Sequence, residues 1–341
     1  MNKVLKDSEL TFSRSEPLGN AQFVSVVVPT LNEEAYIEGL LKQLSSQAPD
    51  KVVEIIVADG GSDDATRELV EAAAERDARI KLLDNPDRIQ SAGVNLAAQN
   101  ADPRSNILIR IDAHSHYSDD YIPKLLTHLS EQDADSVVVR LKSKGQTCFQ
   151  TAVAAASNSK LGTGGSLHRV GAESRYVDHG HHAAFRLSAF RDAGGYDETF
   201  IANEDAEFDM RLVNQGGQIW FAGDIEVEYF PRRTPLKLMK QYFSYGKGRC
   251  RTFLKHGARP APRQLAPVAL VIGLAMCFLA AFWAPLAALP PLLYGAGILA
   301  GAVFLTVQTR KVCALLSVVT LPIMHVSWGS GFLWQLRTRF F

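Results

Sequence analysis

Four polar clusters in this sequence carry residue types able to do chemistry. Pro29-Thr30-Leu31-Asn32-Glu33, Asp59-Gly60-Gly61-Ser62-Asp63-Asp64 and Asp112-Ala113-His114 each follow a short apolar run, and Asn203-Glu204-Asp205-Ala206-Glu207-Phe208-Asp209 lies further on. A carboxylate at the end of a buried-looking run needs a partner or a cation, because burying an unpaired charge is costly. Asp112 and His114, one residue apart, can both point at one ion. Oxygen plus imidazole suits manganese or magnesium, which leave positions for phosphate oxygens and water. Arg88, in NPDRIQSAGVN, is placed to reach a phosphate. Asp178-His179-Gly180-His181-His182 is rich in metal-binding side chains. It lacks the i, i+4 spacing of a helical zinc site and has no nearby cysteine, so it reads as a loop.

The elements that must position these residues alternate. Val24–Val28, Glu54–Ala58, Ile80–Leu83, Ile107–Ile111 and Ser136–Arg140 read as buried strands. Between them Glu33–Gln47 carries Ile37, Leu40, Leu41 and Leu44 on one helical face, and Gln90–Ala98 and Tyr121–Leu129 are helical too. Ser62 is expected to cap the helix that carries Leu69 and Val70. Strands alternating with helices imply an α/β domain with a mostly parallel, Rossmann-like sheet, and ligands of such sheets bind beyond the carboxyl ends of the strands. Three polar strand ends then form one acidic crevice. No G-x-G-x-x-G follows the first strand and no G-x-x-x-x-G-K-[ST] occurs, which disfavours a dinucleotide cofactor and a P-loop. An acidic crevice admits a nucleoside diphosphate only with a bridging divalent cation. Gly162, Gly164 and Gly165, in LGTGGS, read as a flexible loop.

The zero net charge conceals a split. All 36 acidic residues lie at or before Glu228, and fourteen Lys and Arg follow it. Residues 1–228, with 22 basic residues, therefore carry −14 and residues 229–341 carry +14, which suggests different surroundings for the two parts. No charged residue occurs from Gln264 to Thr309. Leu265–Ala284 and Leu286–Leu305, with Pro285 as the turn, and then Val312–Trp334 are each long enough to span a bilayer. Arg310 and Lys311 favour the cytoplasmic side, yet three crossings would put Arg337 and Arg339 outside. The third segment is therefore either re-entrant or interfacial, or it breaks the rule. The stretch from Arg232 to Arg263 mixes ten cations with apolar anchors and suits helices lying on an anionic membrane face. The adjoining apolar segments argue against nucleic acid as a partner. The division expected is an N-terminal segment 1–22, a catalytic domain 23–230, interfacial helices 231–263 and a transmembrane region 264–341. Nothing near Met1 reads as a signal peptide, so the acidic domain is expected in the cytosol. The four cysteines are scattered without CxxC spacing, which argues against a disulfide framework.

P-T-x-N-E, D-G-G-S-x-D and D-x-H after successive strands, with the later N-E-D, resemble the inverting family 2 glycosyltransferases over roughly residues 23–250. A closer similarity, to glucosyltransferases of succinoglycan-type exopolysaccharides, rests on RIDAHSHYSDDY, GGYDETF, NEDAEFDMRL and QYFSYGKGR. The resemblance implies a GT-A fold and transfer from UDP-glucose to a polyprenyl-diphosphate-linked sugar, with a β-1,3 linkage, at a bacterial inner membrane. It implies that Thr30, Glu33 and Asp59 hold the nucleoside, Asp112 binds the cation with His114 assisting, and Asp205 is the general base. Glu204, His181, His182, Gln241 and Arg249 are then expected on the acceptor and diphosphate side. His114 departs from many relatives, which carry a second aspartate there. A processive polysaccharide synthase would carry Q-x-x-R-W, whereas Gln241 is followed by Tyr242-Phe243-Ser244-Tyr245. A polyprenyl-phosphate sugar synthase needs no base, and a tethered sugar-nucleotide sensor would not need Asp205.

Overall fold

The computed structural model describes residues 21–181 and 183–338. Its first half alternates as the apolar pattern requires: β1 (Val24–Thr30), α1 (Ile37–Ser46), β2 (Val52–Asp59), α2 (Thr66–Arg76), β3 (Ile80–Asp84), α3 (Gln90–Gln99), β4 (Ile107–Arg110), α4 (Tyr121–Glu131) and β5 (Ser136–Ser143). Three short or apolar helices follow, α5 (Cys148–Ser157), α6 (Lys160–Thr163) and α7 (Leu167–Val170). Then come β6 (Arg175–Val177), β7 (Ala183–Arg186), α8 (Leu187–Asp192), α9 (Glu204–Asn214) and β8 (Ile219–Tyr229). The C-terminal part is helical: α10 (Pro235–His256), α11 (Pro262–Ala280), α12 (Leu289–Thr309) and α13 (Ser317–Arg337).

The eight strands form one mixed sheet in the order β3-β2-β1-β4-β7-β5-β8-β6. β1 to β4 are mutually parallel, as are β5 and β8, and β7 runs antiparallel between β4 and β5. Strand β1 is buried almost throughout, as expected for a parallel strand covered on both faces. One layer of helices packs Ile37, Leu41, Tyr121 and Leu125 onto Val26, Val28 and Ile109; on the other side Val94, Phe190 and Phe208 cover Val27, Leu108 and Phe185.

Register is what makes the site. Thr30 pairs with Asp59 and Asp59 with Asp84, while Val27 pairs with Arg110. Thr30, Asp59, Asp84 and Asp112 therefore lie along one edge, with the reversal of strand order at β1 opening the crevice between them. Because β7 is antiparallel, with Ala184 opposite Ile109, the residues preceding it arrive at the same edge. That strand delivers the histidine segment beside Asp112.

Several local expectations are corrected. Helix α1 begins at Ile37, four residues after Glu33, because the Glu33 amide donates to Thr66 Oγ1 (2.8 Å) and a turn intervenes. Ser62 does not cap α2: its hydroxyl donates to Asp59 (2.5 Å) and accepts from the Asn32 amide (2.9 Å). Of the glycines in LGTGGS, Gly162 lies in the short helix α6 rather than in a loop, Gly164 caps it in the left-handed conformation and Gly165 follows in a turn; a Cβ at Gly162 would collide with the Ala156 carbonyl. Two of the scattered cysteines are bonded, Cys148 at the start of α5 to Cys313, 165 residues away, with Cα atoms 5.0 Å apart. Spacing in the chain carries no information about such a pair, because only the packing of α5 beside residues 312–316 brings the two together.

Candidate active site

One side of the crevice is built from the ends of β1, β2 and β3. Thr30 is buried and its hydroxyl finds no hydrogen-bond partner among the described residues, whereas its carbonyl accepts from the Gly60 amide (2.8 Å). A buried hydroxyl left without a partner at a strand end has hydrogen-bonding capacity free for a ligand or water. Asp59 is engaged otherwise than a simple nucleoside contact would have it. It accepts from the Gly61 and Ser62 amides (3.0 and 3.1 Å), from Ser62 Oγ and from Arg67 (2.9 Å). Burial would raise its carboxyl, but the hydrogen bonds from Ser62 and Arg67 outweigh this and hold it low. Asp59 thus shapes the D-G-G-S turn and stays ionised. Arg67, which nothing in the sequence singled out, ties Asp59 to Asp84 (2.8 Å). Arg88 is exposed and lies over that turn. A Cβ at Gly61 would come within 3.1 Å of its guanidinium, and one at Gly60 within 3.3 Å of its Cα. The two glycines are what allow this cation to cover the strand end.

Asp112 and His114 are not bare ligands. Asp112 Oδ1 accepts from Gln90 Nε2 (2.8 Å) and pairs with Arg110 Nε (3.4 Å). His114 Nδ1 sits 2.9 Å from Glu33 Oε1, and that bond, against burial, raises the imidazole pKa. Glu33, expected against the nucleoside, also partners His114. Among the described residues no three His, Cys, Asp or Glu side chains converge on one point. This donor set still fits a magnesium or manganese ion, which takes one or two carboxylates and completes its shell with substrate phosphates and water. A carboxylate on Nδ1 is also the usual partner of an imidazole that binds metal through its other nitrogen.

A second polar cluster is the first turn of α9. Asp205 is the second residue of this helix, whose N-cap Asn203 is in the left-handed conformation. Its Oδ2 is 2.7 Å from His181 Nδ1, and its Oδ1 accepts from the Ala206 amide (2.7 Å). Burial would raise Asp205, but the His181 bond and the charges of His181 and Arg110 hold it well below the usual carboxylate range. Glu204, its neighbour, goes the other way: burial and the Asp205 charge push it up to about 7, against the pull of Arg110. His179 Nδ1 is 2.8 Å from Asp209, and Arg249 donates to His179 Nε2 (3.2 Å). An arginine can only donate, so Nε2 accepts and Nδ1 carries the proton. Burial and the neighbouring His179 push His168, beside this group, far below its ordinary value.

Gln241 donates to Tyr229 and Tyr245 (2.9 and 3.0 Å) and fastens α10 to β8. His182 lies outside the described residues. The glycines of Y-G-K-G-R allow α10 to approach on two sides. A Cβ at Gly248 would strike the Ala202 carbonyl, and one at Gly246 the Trp328 carbonyl of α13. The residue that joins the two halves is Arg110, which sequence reading passed over as a strand residue. Its side chain is 3% exposed; Nη1 reaches Glu204 (3.2 Å) and Tyr196 (3.3 Å) while Nε faces Asp112. An arginine inside an otherwise apolar strand, two residues before an aspartate, was the available signal.

A mixed, mostly parallel sheet with an acidic edge, a Gly-Gly turn under an arginine and a carboxylate pair opening a helix define a glycosyltransferase of GT-A fold. Residues 25–194 match the family described as Glycosyl transferase family 2, and the chain belongs to that family. Among its relatives is the succinoglycan biosynthesis protein ExoA of Rhizobium meliloti (strain 1021), 43% identical over 307 residues, 90% of this chain and 93% of that protein. A dolichyl N-acetyl-alpha-D-glucosaminyl phosphate 3-beta-D-2,3-diacetamido-2,3-dideoxy-beta-D-glucuronosyltransferase of Methanococcus voltae is 25% identical over 66% of this chain and 72% of its own. The fold is shared with the mannosyltransferase PcManGT from Pyrobaculum calidifontis, solved in complex with GDP-Man and Mn2+. It superposes with a TM-score of 0.61 at 20% identity, over 89% of this chain and 86% of that one.

Proposed function

We propose that this enzyme transfers glucose with inversion from UDP-glucose to a sugar carried on a polyprenyl diphosphate, forming a β-1,3 linkage, at the cytoplasmic face of a bacterial inner membrane. The kinship with a succinoglycan biosynthesis protein supports the exopolysaccharide setting. The observation that carries the reaction is Asp205: a carboxylate held ionised by His181, linked through Glu204 and Arg110 to Asp112. Inversion needs one base behind the anomeric carbon, on the face opposite the leaving diphosphate.

Thr30 and Asp59 would form the nucleoside end of the crevice, and Arg88 would meet the diphosphate. Asp112, with His114 oriented by Glu33, would hold a divalent cation, which when bound offsets the charge of the leaving group. Asp205 would take the proton of the acceptor hydroxyl while His181 keeps its carboxylate oriented. Arg249, held by His179 and Asp209, would face the acceptor from α10, the helix that runs directly into the apolar C-terminal region. That continuity favours a lipid-linked acceptor.

The test uses membranes holding the full chain, labelled UDP-sugars and a lipid-linked monosaccharide, with linkage analysis of the product. A general base contributes about 10²- to 10⁴-fold, so Asp205→Asn should lower single-turnover transfer by roughly that factor. It should leave UDP-glucose affinity within about threefold. Near-normal transfer by Asp205→Asn would move the base elsewhere, and transfer from another UDP-sugar alone would overturn the donor.

A further inference from the structure

Among the described residues three helical segments are long and apolar enough to cross a bilayer: α11, Pro285–Thr309 and Val312–Arg337. They are not equivalent. In the apolar windows of the three, 6%, 17% and 39% of residues are buried in the protein. Most buried residues of α13, including Ser317, Thr320, Leu321, Met324, Ser327 and Gly331, fall on one stripe at helical spacing, while Gly329 packs against Pro267 of α11.

That stripe rests on the catalytic domain and α10 from end to end. Ser317 Oγ donates to the Ala152 carbonyl of α5 (3.3 Å), and His325 Nε2 is 2.7 Å from the Leu161 carbonyl of α6. Further along, a Cβ at Gly331 would collide with the Phe243 carbonyl of α10, and the Phe332 ring lies 6.4 Å from that of Phe253. Helix α10 is itself fastened to the domain: Lys255 pairs with Glu207 and Asp197 (both 2.7 Å), and Arg251 donates to the Thr199 carbonyl (2.6 Å). A helix crossing the roughly 30 Å of hydrocarbon would carry Phe332 about 22 Å beyond Ser317 and away from the domain. Here Ser317 is seated on α5 of the domain and Phe332 on α10, which is itself fastened to the domain.

We infer that α13 is not a third crossing but an in-plane helix at the bilayer surface, and that α11 and α12 form one hairpin that enters the bilayer and returns. The outward face of α13, with Val318, Val319, Val326 and Trp334, is exposed and apolar and is its lipid-binding surface. Lipid is the occupant because this face is continuous with the exposed apolar surfaces of α11 and α12, which include Phe278, Phe282, Leu289 and Leu293. The hairpin leaves from α10 and comes back at Lys311, where the Cys148–Cys313 bond ties the connection to α5. Both of its ends are thus on the side of the catalytic domain. Arg310, Lys311 and Arg337 then share one side, as the preference of Lys and Arg for cytoplasmic flanks requires. The same arrangement resolves the conflict that three crossings create.

The full chain can be tested in bacterial membranes by fusing, at either terminus, a fluorescent protein that matures only in the cytoplasm or a phosphatase active only outside it. Both termini should report the same compartment; opposite compartments would overturn the inference. In liposomes, nitroxide labels at Val318→Cys, Val326→Cys and Trp334→Cys, in a Cys277→Ser background, should report similar, shallow depths by oxygen and nickel-complex accessibility. A profile deepest at Val326 would mean a crossing helix. Labels shielded from lipid at all three positions would mean that a protein, not the bilayer, covers this face; either result overturns the proposal.

Discussion

Arg110→Met removes the guanidinium that pairs with both Asp112 and Glu204. The arginine is 3% exposed, and the Asp112 and Glu204 side chains it pairs with are 12% and 11% exposed. Removing one partner of a buried ion pair costs about 3 to 5 kcal/mol, because it leaves a buried charge uncompensated. The cation over the Tyr196 ring, 5.5 Å from its centroid, contributes about 0.5 to 1 kcal/mol more. Part of the loss is recoverable. Glu204 already stands near 7, so without Arg110 it takes up a proton at neutral pH and discharges itself. The lower end, about 3 kcal/mol, is therefore expected, and for a domain of this size that lowers the thermal midpoint by about 6 to 12 °C. The sign of the pH dependence follows. Glu204 is an acid whose folded pKa is raised, so it weakens the fold as pH rises from the unfolded carboxylate value through the folded one. Arg110 restrains that rise, so the deficit of the variant should be larger at pH 8 than at pH 5.5, where Glu204 is protonated in both. Arg110→Lys keeps a charge but one ammonium cannot span both carboxylates as the guanidinium does, so it should recover stability better than donor affinity. Thermal unfolding in detergent at the two pH values, beside calorimetric UDP-glucose binding, measures all of this. A Met variant that unfolds within about 1 °C of the wild type and binds donor equally would refute the bridging role.

Chelator should abolish transfer, with manganese or magnesium restoring it, and Asp112→Ala should lose activity without unfolding; full activity in excess chelator would exclude the cation. Gly246→Ala puts a Cβ into the Trp328 carbonyl, and such overpacking costs about 1 to 3 kcal/mol. The variant should unfold earlier, and it should lose acceptor affinity before donor affinity because Arg249 rides on the same helix. His168 is a histidine whose folded pKa burial depresses, so stability is lost as pH falls below its unfolded value of about 6.5. His168→Gln should flatten the fall in thermal midpoint between pH 7 and pH 5.5, and an unchanged slope would show that another group is responsible.

Much of the crevice was legible because strand ends are local. An apolar run that stops at Thr30, Asp59 or Asp112 announces both the strand and the residue at its tip, and a parallel sheet brings such tips to one edge whatever their details. The apolar C-terminal segments were equally plain, since length without charge is read directly from the chain. What each tip does was decided by packing. Asp59 is saturated by its own turn and Arg67, and Glu33 is drawn to His114, because fixed oxygens and donors lie within 3 Å only after folding. Arg110, Arg67 and the Cys148–Cys313 pair left little mark, since their partners are 2 to 165 residues away and no periodicity encodes them. The fate of the third apolar segment was likewise a tertiary matter. Composition states only that α13 can bury its residues in something apolar; whether that is lipid on every side or α10 on one depends on glycines at 246 and 331 that let two backbones meet.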